Sequence, residues 1–98
     1  MHAALGWRDG QAVALVDWIF HRSCWSIGDN CYLQNLFVAP DVRGGGIGRR
    51  MIEHVRAQAE AAGAAKVCWL TQESNATARQ LYDRIAERPG FIQYRIML

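Results

Sequence analysis

Lysine is almost absent from this chain of 98 residues, in which Lys66 is the only lysine beside ten arginines. Proline occurs twice, and the formal net charge at neutral pH is only +2. So small a charge argues against a surface built to bind nucleic acid or an anionic membrane. The bias toward arginine has two open explanations: recognition of phosphate by planar guanidinium groups, or a GC-rich genome.

Long hydrophobic runs are also missing. The longest apolar run covers residues 12–20 and is interrupted by Asp17, which makes it far shorter than the roughly 20 residues of a membrane span. The first residues lack a charged segment followed by an apolar one, so we expect no signal peptide. Cys24, Cys31 and Cys68 are odd in number and lack metal-ligand spacing. We therefore expect reduced thiols, a cytoplasmic location and no metal site.

The composition is otherwise that of a globular protein, with 51% hydrophobic and 20% charged residues. The length fits one domain over residues 1–98, and no repeat, low-complexity tract or linker divides it.

Hydrophobic periodicity predicts five strands and two helices. Asp9-Gly10 is a strong signal for a hairpin turn between the first two strands. Pro40 ends the third strand, and Gly63 suits the end of the first helix. The predicted strands are 3–7, 12–21, 32–38, 66–71 and 91–98; the predicted helices run from 46 or 47 to about 62, and from Ser74 or Asn75 to before Pro89.

The strand–helix–strand order over residues 32–71 predicts a βαβ unit, whose two strands are parallel. The opening strands are joined by tight connections and should be antiparallel. We therefore expect a mixed sheet with helices packed against it.

Four glycines within five residues follow the third strand. They are Gly44, Gly45, Gly46 and Gly48. Glycines allow successive amides to turn toward one point, and the first turn of the following helix adds unpaired N–H groups and the positive end of its dipole. With Arg43, Arg49 and Arg50 beside it, the segment predicts a diphosphate-binding loop. The alternative is a glycine-rich connection that binds nothing.

Two common phosphate motifs do not fit these glycines. The P-loop requires a lysine that is absent here, and the dinucleotide fingerprint requires a third glycine where Met51 stands. The pattern R-x-x-G-x-G beginning at Arg43, after the strand end L-F-V-A-P at 36–40, resembles the acyl-CoA signature of the GCN5-related N-acetyltransferases (GNAT).

A second stretch carries the same resemblance. Asn75, Ala78 and Tyr82 fit the family's pattern N-x-x-A-x-x-x-Y, and Gly90-Phe91 resembles the G-F that follows it. The segments W-I-F-H and Y-L-Q-N-L-F-V resemble bacterial members near the histone-acetyltransferase-like branch. Here Gly90 lies farther from the tyrosine than is usual in the family, so we expect a longer second helix or exit loop.

The resemblance implies an α/β (α+β) fold with a GNAT-like mixed, mainly antiparallel sheet, a central parallel βαβ unit and flanking helices. In that fold two parallel strands splay, and the pantetheine arm lies between them. Family members begin with a strand and two helices, whereas this sequence opens at the hairpin. The expected fold is therefore truncated at its N-terminus.

The resemblance also implies acetyl-CoA as the cofactor. Main-chain groups of the third strand would pair with the pantetheine amides, and a backbone N–H there would polarise the thioester carbonyl. The glycine loop and its arginines would bind the pyrophosphate. The implied cofactor-binding residues are Leu36, Phe37, Val38, Arg43, Gly44, Gly45, Gly46, Ile47, Gly48, Arg49, Asn75 and Tyr82.

Tyr82 is the implied catalytic acid, donating its proton to the departing CoA thiolate. A phenol suits that role because its usual pKa of about 10 lies above that of a thiol. The alternative is a core aromatic whose hydroxyl reaches the surface.

A general base is harder to assign. Many family members place a carboxylate on the third strand, where this chain has Gln34 and Asn35. Glu73 is the nearest carboxylate and the predicted base, with Asp29 and His21 as weaker candidates. Each of these is also explained as a solvated polar residue.

Three functions follow from the resemblance. The first is transfer of an acetyl group to a primary amine of a small molecule or protein, by direct attack on the thioester. The second is a weak or inactive acyl-CoA-binding module, and the third is a subunit that needs a partner to complete its acceptor site. Apolar surface left by the missing elements predicts a homodimer, formed by strand exchange. The tryptophans Trp18, Trp25 and Trp69 line an amine pocket or belong to the core.

Overall fold

The structure is a computed structural model that describes all residues, Met1–Leu98. Its elements are β1 (His2–Arg8), β2 (Gln11–His21), β3 (Asn30–Val38), a short 3-10 turn (Pro40–Val42), α1 (Ile47–Ala61), β4 (Lys66–Cys68) and α2 (Ala76–Ile85). The strands form one sheet in the order β1-β2-β3-β4. The first two pairings are antiparallel and the last is parallel. The predicted mixed, mainly antiparallel sheet with its βαβ unit is thus confirmed.

The predicted hairpin between β1 and β2 is present. Arg8 pairs with Gln11, and the two residues between them both have positive φ, 51° at Asp9 and 79° at Gly10. Positive φ at both central positions defines the turn whose twist matches that of the flanking strands. The turn lies at the same end of the sheet as the C-terminal end of β3, because β2 and β3 are antiparallel.

The hydrophobic core lies between one face of the sheet and α1. Val16, Cys31 and Val55 are fully buried there, and α1 contributes four buried side chains at helical spacing: Met51, Ile52, Val55 and Ala59. Full burial of a side chain of this size contributes about 1.5–3 kcal/mol. The core therefore fixes α1 against the sheet.

A glycine permits the close approach of α1 to the β1–β2 hairpin. A Cβ at Gly6 would lie 3.0 Å from the Ala14 Cβ and 3.3 Å from the Met51 Sδ. Packed side chains do not come so close without displacement. The absence of a side chain at Gly6 thus lets the first turns of α1 sit against the sheet.

The C-terminal end of α1 confirms the predicted role of Gly63. Its φ is 75°, its amide donates to the Glu60 carbonyl at 3.1 Å, and the Ala64 amide donates to the Ala59 carbonyl at 2.9 Å. This pair of bonds is the Schellman arrangement, in which a left-handed residue terminates the helix. The chain then enters β4 through a bond from the Ala65 amide to the Asp29 carbonyl, 2.8 Å long.

Two predicted strands differ from the structure. β4 was predicted to reach Thr71 but ends at Cys68, where its pairing with β3 ends. The strand predicted over 91–98 does not form, and its apolar side chains are exposed. An alternating sequence becomes a strand only where a neighbour accepts its hydrogen bonds, and no strand lies on the outer side of β4.

The three cysteines are free. Cys31 is buried in β3, and burial raises the pKa of its thiol, with a smaller contribution from the neighbouring Cys68. Cys24 is exposed. Neither helix combines the length and hydropathy of a membrane-spanning segment.

Candidate active site

The sheet opens between β3 and β4, as the resemblance implied. Parallel pairing covers three residue pairs and ends at Tyr32 opposite Cys68, whereas β3 continues to Val38. The edge of β3 that faces β4 is therefore unpaired from residue 33 onward. We call the opening between residues 33–38 and residues 69–71 the splay.

A β-bulge lies where the two strands part. On β2, Asp17 pairs with Asn35 and the next residue, Trp18, pairs with Leu33. Gln34 is therefore an extra residue on β3 with no partner on β2. Such a bulge bends its strand and increases the local twist, which turns the C-terminal half of β3 away from β4.

The C-terminal end of β3 lines the splay with backbone. Leu36 and Val38 pack against the core, and Phe37 points to the opposite face with 54% of its surface exposed. The backbone groups of this edge are free to pair with an extended ligand that carries amides. The structure thus brings all three predicted pantetheine-binding residues to one wall of the splay.

The glycine loop is anchored at its start and open in its middle. The Ala39 amide donates to the Val13 carbonyl at 2.8 Å, and the Arg43 amide donates to the Pro40 carbonyl at 3.4 Å. From Gly44 to Arg49, six successive amides donate no hydrogen bond within the chain, and the next amide, that of Arg50, begins the helical pattern. Left-handed φ values at Gly44 and Gly46, 86° and 82°, shape this loop.

Unpaired amides at a helix N-terminus favour an anion. Here they belong to the predicted Gly44, Gly45, Gly46, Ile47, Gly48 and Arg49. No side chain caps α1, so the donors remain available to a ligand.

The arginines near the loop have different surroundings. The Arg43 Nε donates to the Val38 carbonyl at 3.0 Å, which fastens the loop to the end of β3. The Arg49 Nε lies 4.0 Å from the Glu53 Oε1 in an exposed pair along α1. Pairs of this kind contribute little to stability, so the Arg49 guanidinium can be recruited by a ligand.

Arg8 is a cation beside the loop that sequence reasoning missed. A Cβ at Gly45 would lie 4.0 Å from the Arg8 Nη1, and Arg8 makes no ion pair with an acidic side chain. Together with Arg50 and Trp7 it lines a cavity of about 340 Å³ over Gly45. The sequence does contain a signal for the position of Arg8. When a hairpin is followed by a third antiparallel strand, the hairpin turn lies at the C-terminal end of the third strand, where the glycine loop begins.

Asn75 and Thr71 lie on the segment across the splay. Asn75 precedes the first residue of α2, as predicted, but its side chain does not cap the helix. The Asn75 Nδ2 instead donates to the Thr71 Oγ1 at 3.2 Å. This bond joins the segment after β4 to the start of α2.

Tyr82 lies on α2 and is half-buried. Its ring meets the Trp69 ring edge-to-face, with centroids 5.4 Å apart and an angle of 71° between the planes. Burial raises the pKa of Tyr82 above its usual value of about 10, so the phenol keeps its proton at neutral pH. Next to it, the Leu81 side chain meets the start of α1, where a Cβ at Gly48 would be 3.8 Å from the Leu81 Cδ2.

Of the candidates for the general base, Glu73 lies across the splay and the two weaker ones lie elsewhere. Glu73 is exposed on the segment across the splay, where its carbonyl accepts a hydrogen bond from the Arg79 Nη1 at 2.6 Å. Asp29 lies 3.8 Å from the Arg22 Nε. His21 pairs with Asn30, the first residue of β3. Asp29 and His21 are thus at the opposite end of β3 from the glycine loop.

Asp17 is a carboxylate near the bulge that was not considered as a site residue. The Asn35 Nδ2 lies 3.2 Å from its Oδ1 and 3.1 Å from its Oδ2. In the sequence, Asp17 only interrupts an apolar run. The cross-strand register, which the sequence does not give, places it opposite Asn35.

The three tryptophans lie in different environments, and Trp25 fits neither interpretation. Trp18 is a core residue, stacked on His2 at 5.7 Å with His54 at its edge. Trp25 is 93% exposed in the loop between β2 and β3. Trp69 is the one beside the splay, where it contacts Tyr82.

Comparison with known proteins identifies the class. The sequence profile of the Acetyltransferase (GNAT) family matches residues 2–86. The chain therefore belongs to the GNAT family, as its two motifs indicated.

A curated relative is D-amino-acid N-acetyltransferase HPA3 of Saccharomyces cerevisiae (strain ATCC 204508 / S288c), 29% identical over 86 residues. The alignment covers 88% of this chain and 53% of that protein. The chain thus spans about half the length of this relative.

Solved structures confirm the fold. Ribosomal-protein-alanine N-acetyltransferase from Brucella melitensis biovar Abortus 2308 superposes with a TM-score of 0.87 at 23% identity, over 98% of this chain and 70% of that chain. An aminoglycoside acetyltransferase from an uncultured soil metagenomic sample gives 0.89 at 20% identity, over 98% and 64%. At such identities the likeness concerns the fold alone.

Proposed function

We propose that this chain is the cofactor-binding part of an N-acetyltransferase that transfers the acetyl group of acetyl-CoA to a primary amine. The observation that carries the proposal is the run of six free amides at residues 44–49, next to the open edge of β3. A diphosphate and an extended amide chain are the two chemical features that such a surface complements, and coenzyme A contains both.

The cofactor would be held at three places. Amides of the glycine loop, with the side chains of Arg8, Arg43 and Arg49, would bind the diphosphate, since guanidinium groups and helix N-termini both favour it. The backbone of Leu36, Phe37 and Val38 would pair with the pantetheine amides. Asn75, whose side-chain carbonyl makes no hydrogen bond within the chain, would bind the same arm from across the splay.

The bound thioester supplies an activated acetyl group. The acceptor, an ammonium ion at neutral pH, would first lose one proton to water, and the neutral amine would then attack the thioester carbonyl carbon, so that a C–N bond forms and the C–S bond breaks. Tyr82 would donate its hydroxyl proton to the leaving sulfur, and its raised pKa keeps that proton available. Glu73 would accept, through water, the proton that the amine loses. No covalent intermediate with the enzyme is required.

The acceptor is proposed to be a small primary amine. The curated relative is named for D-amino acids, which makes these the first compounds to test, followed by aminoglycosides and peptide N-termini. The uncovered face of the sheet, with Leu5 51% and Phe37 54% exposed, also favours the second candidate: an acyl-CoA-binding module that is inactive unless a partner completes the acceptor site.

The experiment has two stages. Calorimetry with acetyl-CoA tests the cofactor site, and absence of binding would overturn both candidates. Release of free thiol, followed with a panel of amines, then separates them. Amine-dependent release supports the transferase, whereas binding without release supports the module.

The assembly and location are proposals of the same kind. Exposed apolar side chains on residues 91–98 support a homodimer formed by strand exchange. The free cysteines support a reducing, cytoplasmic location. Residues 1–98 are proposed to form one partial GNAT domain.

A further inference from the structure

On the sheet face opposite α1, side chains of paired residues form rows across the strands, and these rows indicate where the acceptor binds. Cross-strand partners share a face. This face carries Leu5, Leu15 and Phe37 in one row, Ala3, Asp17 and Asn35 in the next, and Ile19 and Tyr32 in the one after. We call this surface the open face. Its middle row is the only polar one of the three.

Asp17 occupies an unusual position for a carboxylate. It lies in the middle of β2, although aspartate is among the residues least suited to strands, and apolar rows flank it on both sides. No arginine, lysine or histidine forms an ion pair with it. Nothing in the fold neutralises this charge.

Asn35 orients the Asp17 carboxylate without saturating it. Its one amide nitrogen donates to both carboxylate oxygens, at 3.2 and 3.1 Å. An ionised carboxylate has about four lone-pair sites, so sites remain for the donors of a ligand. An ammonium group, which carries three donors and a positive charge, is the complementary partner.

The Asp17–Asn35 pair also lies beside the proposed reaction centre. Asn35 directly follows the bulge residue Gln34, and the splay opens at this level of β3. The next residue, Leu36, begins the backbone segment proposed to pair with pantetheine. A ligand bound to Asp17 therefore lies next to the strand along which the acetyl group would be presented.

We infer that Asp17, oriented by Asn35, binds the ammonium group of the acceptor on the open face. Leu15 and Phe37 on one side, and Ile19 and Tyr32 on the other, bind the carbon skeleton. The two rings also favour a cation. The inference rests on the proposed function and narrows the acceptor to a primary amine with an apolar body. Asp17 is the residue that contacts the acceptor, and Asn35 is a positioning residue.

The test replaces Asp17 by its isostere. Asp17→Asn should raise the KM for the amine about 10- to 100-fold, the usual effect of losing a charge-assisted hydrogen bond, while the Kd for acetyl-CoA stays within twofold. A competitive inhibitor in which methyl replaces the amine should bind both proteins alike, because it offers the carboxylate no donor. Glu60→Gln, which removes an exposed carboxylate paired only with Arg56, is the matched control and should change neither constant.

A second measurement needs no turnover. In nuclear magnetic resonance titrations with coenzyme A present, an amine such as phenethylamine should shift the side-chain amide signals of Asn35 in the wild-type chain and not in Asp17→Asn.

The outcomes separate the two proposals. Wild-type protein that fails to bind acetyl-CoA contradicts the proposed function. Three results would each overturn the role of Asp17. The first is an unchanged KM for the amine in Asp17→Asn when the wild type is active. The others are a loss of acetyl-CoA affinity in that variant as large as its rise in KM, and Asn35 signals that do not shift in the wild type.

Discussion

Arg8 and Asp17 carry opposite charges on the same hairpin, one next to its turn and the other in the interior of its second strand. Arg8 ends β1 beside the glycine loop, and Asp17 lies in mid-strand beside the bulge. The first would contact the phosphate end of the cofactor, and the second would contact the acceptor. A single hairpin would thus supply a side chain to each end of the reaction.

Replacement of Arg8 tests the first of these contacts. Arg8→Gln should weaken acetyl-CoA binding about tenfold, the usual scale for one charged hydrogen bond to phosphate. Calorimetry with CoA and with dephospho-CoA locates the contact: a loss confined to CoA indicates the 3′-phosphate, and a loss with both indicates the diphosphate. Arg22→Gln, at the opposite end of the sheet, is the control. Equal affinities of Arg8→Gln and wild type would contradict the contact.

Tyr82→Phe tests the proposed acid. General acid catalysis contributes about 10²–10⁴-fold, so kcat should fall by this order while acetyl-CoA affinity stays nearly constant. The wild-type rate should decline as the pH rises through the raised pKa of Tyr82, above about 10, because the phenol is then deprotonated. The Phe variant should lack that decline. An unchanged kcat would leave Tyr82 as a packing partner of Trp69.

At the scale of elements, the features predicted correctly are those that depend on short-range sequence signals. The Asp9-Gly10 turn, the end of α1 at Gly63 and the start of α2 after Asn75 each depend on local backbone chemistry and were predicted. The length of β4 and the strand over 91–98 depend on a neighbouring strand, and both were wrong. Sequence periodicity describes which face a strand could bury, whereas the partner that completes its hydrogen bonds is a tertiary property.

The same distinction applies to the candidate site. Glycine spacing was sufficient to predict the open loop, because the glycines themselves determine its shape. The Asp17–Asn35 pair joins residues eighteen positions apart through a register shifted by a bulge, and no periodic pattern indicates such a shift. Arg8 needs no such register, because the antiparallel order of β1, β2 and β3 alone places the hairpin turn beside the loop.

Two adjacent glycines provide a matched test of the loop. Gly46 has a φ of 82°, where alanine costs about 1–2 kcal/mol, so Gly46→Ala should lower the free energy of unfolding by this order and weaken acetyl-CoA binding. Gly45 does not have positive φ, and a Cβ there would lie 3.5 Å from the Val42 carbonyl oxygen and 4.0 Å from the Arg8 Nη1, both ordinary contact distances. Gly45→Ala should leave stability nearly unchanged in chemical denaturation. Equal destabilisation by both would show that the left-handed turn is not what maintains the loop.

At the scale of the whole molecule, helices cover one face of the sheet and the other is open. The chain also ends in residues 91–98, whose side chains at Phe91, Tyr94 and Ile96 are exposed. Apolar surface of this kind marks interaction sites. The homodimer remains a proposal that these exposed groups support.

Sedimentation at micromolar protein concentrations tests the proposed homodimer. The wild-type chain should sediment as a dimer, and the double substitution Ile92→Lys with Ile96→Lys should shift it to monomer, because alternate residues of an added strand share one face. Gln93→Lys, on the other face of the same segment, should remain dimeric. A monomeric wild type would refute the strand exchange.

The single unmatched residue at Gln34 governs the parity of β3. Before it the inward side chains carry odd numbers, Cys31 and Leu33, and after it even ones, Leu36 and Val38. Removing that one position would restore regular alternation with Leu36 and Val38 still facing inward, but it would also remove the bend, so the strand would straighten and the splay would close. The splay therefore depends on the number of residues in this strand and not on the chemistry of the exposed side chain at Gln34.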